Sequence, residues 1–333
     1  MNHVKVIQNQ DKIIQVGSGK SRLQLFKPKI SVVGVGGGGG NAVNHMIRRH
    51  LEGVEFVVCN TDQQDLVKSL SSNRIQLGPQ LTRGHGAGSK PEIGRMAAEE
   101  SIQDVMEQLK HSDLVFLAAG MGGGTGTGSS PIIAREIKKM NNDVLVAAVV
   151  TRPFRFEGKI KQNYASEGLE ELGKYVDTLV VVSNDRLLSM AQPNTTIVDS
   201  FSMADEILHS GVKTITSIIN HPGLINLDFS DIKAILTKRP GYSRIGVGEA
   251  SGEDRALKAA FDALNNPLVE SDGQSSKAIL INIASGDDIS LKEIGRAITY
   301  LQENAHPEAE IKVGHYIDNS LAGRIRISVL YVH

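Results

Sequence analysis

The sequence has no tryptophan, and aromatic residues make up only 4% of its 333 positions. That is too few for a base-stacking surface along single-stranded nucleic acid. Cysteine is nearly absent as well. The single Cys59 cannot close an internal disulfide, which fits a reducing compartment. Neither sign of charge dominates: 36 Lys and Arg stand against 37 Asp and Glu, a net charge of −1. No global field is available to hold nucleic acid or an anionic membrane. Long hydrophobic runs are missing too. Val144 to Val150 is strand-sized, far short of the roughly 20 residues that cross a bilayer. The opening MNHVKVIQNQDKIIQ lacks the apolar core of a signal peptide. These absences lead to the expectation of a cytosolic protein that binds no nucleic acid.

What is present is a large apolar fraction, 40%, in a chain long enough for about two domains. Residues 1–28 show no periodicity and read as a flexible extension ending at Pro28. Gly19, Lys20 and Ser21 imitate the end of a Walker A loop. Ile14 occupies the place of its first glycine and no helix pattern follows, so a polar tail is the better reading. From Ile30 onward strand and helix patterns alternate. Strands are expected at Ile30 to Val33, Val54 to Cys59, Arg74 to Leu77, Leu114 to Ala118, Val144 to Val150 and Thr178 to Val182. Val43, Met46, Ile47 and Leu51 fall on one helical face. One further helix is expected from Pro91 through Leu109. The alternation argues for a parallel sheet with helices on both faces.

A longer helix is expected over Val198 to Asn220, where Ala204, Leu208, Val212, Ile215 and Ile219 repeat at steps of four and three. Beyond it the pattern gives a helix near Asp254 to Leu264, a strand near Lys277 to Ile283 and a helix near Ser290 to Glu303. Two closing strands, near Glu310 to Tyr316 and Gly323 to Val332, are close enough in sequence to pair. The fold class expected is α/β. It combines a Rossmann-like parallel-sheet domain, a long central helix and a smaller C-terminal α/β domain.

Three glycine-rich segments sit at strand-to-helix junctions. In GVGGGGGNA (residues 34–42), Gly34, Gly36 and Gly39 fit G-x-G-x-x-G, and Asp62 could serve as the ribose-binding acid of a dinucleotide fold. GMGGGTGTGSSP (residues 120–131) is a second such turn, with Pro131 suited to a first helical turn and Thr125 and Thr127 able to donate hydroxyls. HGAGSKP (residues 85–91) is the third. Glycine lets backbone N–H groups face phosphate oxygens unobstructed, and a helix N-terminus adds partial positive charge. Three such loops on one edge suit a triphosphate better than a pyrophosphate.

GMGGGTGTG resembles the signature loop of the tubulin/FtsZ superfamily. GVGGGGGNAVNHM, NTDQQDL, LTRGHGAG, TRPFRFEGK, NDRLL, GLINLDFSD and GEDRA are similar to the FtsZ branch, in family order over about residues 29–332. The resemblance implies a GTP-binding domain (residues 29–197), a central helix (198–220) and a C-terminal activating domain (221–333). It implies that Gly37, Gly38, Gly39, Gly40 and Asn41 hold the nucleotide, that Ala87 and Gly88 approach the γ-phosphate, and that Gly124, Thr125 and Gly126 cradle the phosphates. Glu157 and Lys161 would act near the ribose, Asn184 on the guanine side, and Phe201 against the base. Asp205 would read guanine, and a carboxylate can indeed accept from guanine N1–H and N2–H₂, a donor pair that adenine lacks.

In GLINLDFSDIK, Asp228 and Asp231 stand three apart where a loop enters a helix. An N-cap with a first-turn acid explains the spacing by itself. The resemblance implies instead that Asp228 and Asp231, with Asn226 holding the loop, polarise water at the next subunit's nucleotide. The implied cofactors are GTP and GDP, with Mg²⁺ held through the phosphates and no metal site of protein ligands. The implied partners are further copies of the chain, head to tail, and cell-division proteins at the division site, with membranes reached only through adaptors. The family usually continues into a linker and an adaptor-docking peptide. An ending at His333 puts adaptor binding, but not GTPase chemistry, in question. Two other departures are Lys161 in place of an arginine and Lys90 in place of an asparagine. Two competing functions remain: a nicotinamide-dependent oxidoreductase, from the first glycine loop alone, and a nucleotide-binding filament without turnover.

Overall fold

The computed structural model describes residues 27–190, 194–220, 225, 227–238, 241–265 and 276–332. Strands β1 (Ile30–Val35), β2 (Glu55–Asn60), β3 (Asn73–Gln76), β4 (Leu114–Gly120), β5 (Leu145–Arg152) and β6 (Thr178–Ser183) pair in parallel. Strands β7 (Gly241–Ser251), β8 (Ala278–Ser285), β9 (Glu310–Ile317) and β10 (Arg324–Val332) continue the same sheet. Its order is β3-β2-β1-β4-β5-β6-β7-β10-β8-β9. Every residue of β1 is buried, as is nearly every residue of β4 and β5. Such continuous apolar strands are expected where helices cover both faces.

Helix α1 (Gly36–Arg48) packs on one face, together with α9 (Ile197–Asn220) and α10 (Phe229–Lys238). Val32, Phe116, Ala147 and Val149 meet Val43, Met46, Leu208, Val212 and Ile215 there. Leu280, Leu330 and Val332 join the same cluster, so α9 packs beneath both halves of the sheet. The opposite face carries α4 (Pro91–Glu100), α5 (Ile102–Leu109), α6 (Thr125–Met140) and α7 (Lys159–Gly173), packed on Val33, Val115, Leu117, Val146 and Ala148. A third core forms where α11 (Arg255–Leu264) and α12 (Leu291–Glu303) cover β7, β10 and β8. Short helices α2 (Gln63–Lys68), α3 (Pro79–Thr82) and α8 (Asn184–Met190) complete the set.

Several expectations change. The two closing strands do not pair, because β8 lies between β9 and β10. Strand β7 was not expected at all. Its sequence, GYSRIGVGEAS, is rich in glycine and polar residues. The glycines are there because α11 rests directly on the strand: a Cβ on Gly246 or Gly248 would strike the carbonyl oxygen of Ala263 or Ala259. Through β7 the C-terminal strands join the parallel sheet at Thr178 to Val180, rather than forming a sheet of their own. The helix expected from Pro91 to Leu109 is two helices, divided at Ser101. The Ser101 hydroxyl accepts from Gly78 N at 3.0 Å and donates to Gln76 O at 3.2 Å. The helices also begin earlier than expected: α1 inside the glycine run and α6 at Thr125, which leaves Pro131 inside α6 rather than in its first turn. Residues 1–26 and Asn226 lie outside the described residues.

The packing of α11 on β7 gives a direct test. Gly248→Val is expected to cost about 3 kcal/mol of unfolding free energy, seen as a lower urea midpoint. Gly295 in α12 has open space around its Cβ position, so Gly295→Ala should instead add up to about 1 kcal/mol.

Candidate functional site

The order β3-β2-β1-β4-β5-β6 reverses direction between β1 and β4. Ligands of open α/β sheets bind at the carboxyl ends of the strands at such a switch point. The loops that leave β1 and β4 lead straight into α1 and α6 there. Neither helix has a side-chain cap on its first turn, and α4 has none either. By contrast, Asp62 caps α2 and Ser290 caps α12. Uncapped first turns leave backbone N–H groups without partners and concentrate the positive end of the helix dipole.

The three loops touch one another through glycine. A Cβ on Gly36, whose φ is +72°, would lie 2.9 Å from Gly126 N. One on Gly38 would lie 3.2 Å from Gly120, and one on Gly124 would lie 2.8 Å from the Ala87 Cβ and 2.9 Å from Lys90 N. Gly39 and Gly94 have no room either: their added Cβ atoms would strike Ala118 O and Gly124 O. Gly88 and Gly123 face open space, and Gly37, Gly38 and Asn41 are exposed. The outcome is three glycine loops packed backbone against backbone, with Gly37, Gly38, Gly88 and Gly123 at their open side, an arrangement that fits phosphate.

Thr125 and Thr127, expected to donate hydroxyls to phosphate, are used within the protein. Thr125 Oγ1 is 2.7 Å from Thr61 Oγ1, and Thr127 Oγ1 accepts from Gly122 N at 2.8 Å. These bonds clamp the loop; the Thr127 hydroxyl only accepts here, so its O–H is still able to donate. Asp62, the ribose acid of the dinucleotide reading, accepts instead from Gln64 N and Asp65 N. Its role is a helix cap, and the oxidoreductase reading loses its acid. Lys90 is exposed at the start of α4.

Beyond β5 and β6 lies a second cluster. Phe154 stacks on Phe156 at 4.7 Å and meets Phe201 edge-on at 5.8 Å. Phe156 and Phe201 remain 71% and 47% exposed, a half-open aromatic surface suited to a planar base. Sequence reasoning named Phe201 but passed over Phe154 and Phe156, although TRPFRFEGK displays both. Glu157 accepts from Phe154 N at 2.9 Å and from Lys161 Nζ at 3.0 Å. Asn184 is 5% exposed, and its Oδ1 has no hydrogen-bond partner. A buried acceptor without a partner is costly, so this atom fits a ligand donor. Asp205 is half-buried, and burial pushes its carboxyl up to about 6.

Asp228 and Asp231 are elsewhere. Asp228 Oδ1 accepts from Asp231 N at 2.8 Å, and Asp231 Oδ2 accepts from Asp228 N at 3.4 Å. The helix-capping reading is therefore correct for the isolated chain. The pair follows the C-terminal end of α9, whose 24 residues span about 36 Å. Phe201 and Asp205 stand near the other end of that helix.

The sequence profile described as "Tubulin/FtsZ family, GTPase domain" matches residues 29–192, and "FtsZ family, C-terminal domain" matches residues 241–332. The chain belongs to the tubulin/FtsZ family. It is a GTPase of that family with the tubulin/FtsZ fold. It is 59% identical over 332 residues to the mitochondrial division protein fszB of Dictyostelium discoideum, covering 100% of this chain and 88% of that protein. It is 49% identical over 310 residues to the cell division protein FtsZ of Caulobacter vibrioides, covering 93% of this chain and 60% of that protein. An FtsZ dimer from M. jannaschii superposes with a TM-score of 0.86 at 39% identity, over 92% of this chain and 89% of the other. A GTPγS-bound CetZ2 protofilament from Haloferax volcanii shares the fold, at a TM-score of 0.77 and 22% identity over 91% and 92% of the chains.

In the role that the resemblance implies for it, Asp205 would accept from guanine as the ionised carboxylate, whereas its burial favours the neutral acid. GTP affinity is therefore expected to be full well above pH 6 and to fall as pH drops through about 6, approaching tenfold per unit below it. Asp205→Ala should weaken GTP binding about 10- to 100-fold and abolish this pH dependence. Titration of GTP and ATP against both chains from pH 5 to 8 checks it.

Proposed function

We propose that this GTPase forms head-to-tail filaments and hydrolyses GTP only where two subunits meet. The observation that carries this reading is the placement of Asp228 and Asp231 beyond one end of α9, with the aromatic base cluster at the other. One chain cannot close that gap. A second chain stacked on the first can, and a heterologous contact that repeats without closing gives a filament.

In this reading the phosphates lie on the N–H groups of α1, α4 and α6, held by Gly37 to Asn41, by Ala87 and Gly88, and by Gly124 to Gly126. Phe201 packs on the base, Asp205 and Asn184 read it, and Glu157 with Lys161 borders the ribose. Asp228 and Asp231 of the neighbouring subunit orient the attacking water and accept its proton, while Asn226 belongs to the same loop. No side chain acts as a nucleophile, because phosphoryl transfer to water relies on position and charge. A Mg²⁺ ion bound through the phosphates would neutralise charge on the leaving diphosphate. Nothing among the described residues forms a protein-ligand cluster for a metal.

Residues 29–197, 198–220 and 221–333 remain the proposed functional units, although one sheet runs through the first and last. We assign the filament to a division ring that works with further division proteins. The relative named for mitochondrial division is 59% identical, against 49% or less for those named for cell division. This supports a ring in mitochondrial rather than cellular division, and fluorescent tagging in the source cell decides the compartment. Among the described residues no helix is long and apolar enough to cross a membrane; membrane attachment is assigned to adaptors.

Mixing defective chains tests the shared site. Asp228→Ala should bind GTP but offer no acid pair. A chain with leucine at both Gly124 and Gly126 should keep the acids but bind no GTP. Each alone should release little phosphate. Mixed, they should recover part of the parental rate, since the second can present its acids to GTP held by the first. A mixture that co-sediments yet stays inactive contradicts the shared site.

A further inference from the structure

The loop that carries the acid pair leans on one strand. β9 is the edge strand beyond β8, and it takes up Ile225, Leu227 and Asp231. His315 N donates to Ile225 O at 3.0 Å, and these two residues form an isolated antiparallel bridge. At Gly314 a Cβ would lie 3.2 Å from Leu227 Cδ1, so the bare strand seats Leu227. Two residues earlier, on the same face of the strand, Lys312 Nζ donates to Asp231 Oδ1 at 3.0 Å. Strand β9 thus holds the loop by backbone, by shape and by charge.

The consequences for the two acids differ. Both oxygens of Asp231 are engaged, Oδ1 by Lys312 and Oδ2 by Asp228 N. Asp228 is exposed and uses Oδ1 alone, in the cap to Asp231 N. Among the described residues its Oδ2 is the one carboxylate oxygen of the pair without a hydrogen-bond partner. A charged, half-buried pair such as Lys312–Asp231 (side chains 35% and 33% exposed) fixes a rotamer more than it adds stability.

We propose that Lys312 is a positioning residue for GTP hydrolysis: it locks Asp231 into the cap so that the free oxygen of Asp228 meets the water at the neighbouring subunit's nucleotide. The inference rests on the shared-site reading above. It divides the acids into one that orients and one that touches water, and it makes strand β9 part of the active site.

The charged groups around Asp231 are few. Asp228 is on its own loop. Lys312 and Glu310 come from β9, and Glu310 is drawn toward Lys238 at 3.9 Å. The ring of His315 turns away to Ser285, 2.9 Å distant. The Lys312 hydrogen bond is the leading cause that holds the Asp231 carboxyl below its ordinary value, against opposing burial. Removing Lys312 should therefore raise it.

The test compares Lys312→Met, Lys312→Arg and Asp228→Ala with the parent. For Lys312→Met, kcat per polymerised subunit should fall about 10- to 100-fold, with KM and monomer affinity for GTP unchanged. Lys312→Arg should restore most of the rate. In the GDP-bound monomer, a ¹³C-carboxyl NMR titration should show Asp231 moving up in Lys312→Met and staying low in Lys312→Arg. That measurement needs no assembly and stands if the variant polymerises poorly. Parental kcat in Lys312→Met, or an unmoved Asp231 titration, overturns the proposal. If Asp228→Ala keeps full turnover, the shared-site reading itself fails, a result distinct from the failure of Lys312 alone.

Discussion

Three helix N-termini without side-chain caps lie against one another at the switch point of the sheet, and glycine alone lets them approach so closely. The backbone of Gly36 meets that of Gly126, Gly124 meets Ala87 and Lys90, and Gly94 meets Gly124. Each contact lacks room for a methyl group. The N-termini of α1, α4 and α6, none with a side-chain cap, are consequently held at one place, where their partial charges add. In the proposed reading the GTP phosphates lie there. The threonines of the second loop brace this surface through Thr61 and Gly122 N.

From that surface α9 carries the consequences across the molecule. Its first turns border the base cluster through Phe201 and Asp205. Its apolar stripe, Leu208, Val212 and Ile215, lies in the core beneath both halves of the sheet. Its last residue, Asn220, reaches Glu52 O at 3.4 Å. The acids come after it, braced by β9. The glycine loops and the acid pair thus lie at opposite ends of α9, and in the proposed reading stacking is the route by which they meet. On that proposal hydrolysis is a property of the contact, and the nucleotide reports on whether a neighbour is present.

Much of this was legible in the sequence where a local pattern and its physical cause coincide. Apolar runs gave the parallel strands, the four-and-three repeat gave α9 almost to the residue, and glycine after each strand gave the cradle. What stayed hidden depends on distant partners. Strand β7 does not look like a strand, because α11 demands Gly246 and Gly248 where a strand would carry branched side chains. The break at Ser101 exists because its hydroxyl serves Gly78 and Gln76. The insertion of β8 between β9 and β10 is a matter of topology that sequence proximity misjudged. Asp228 and Asp231 were singled out by family resemblance alone, since a capped helix start explains their spacing fully. Lys312 could not be found at all, because 81 residues separate it from Asp231.

The central claim is that one chain holds GTP and another completes the site. Phosphate release per subunit, followed against protein concentration with the association state measured by sedimentation in the same samples, tests it most directly. The expected result is a rate near zero in dilute monomer that climbs steeply once filaments form. Full turnover by chains that sediment as monomers would contradict the account.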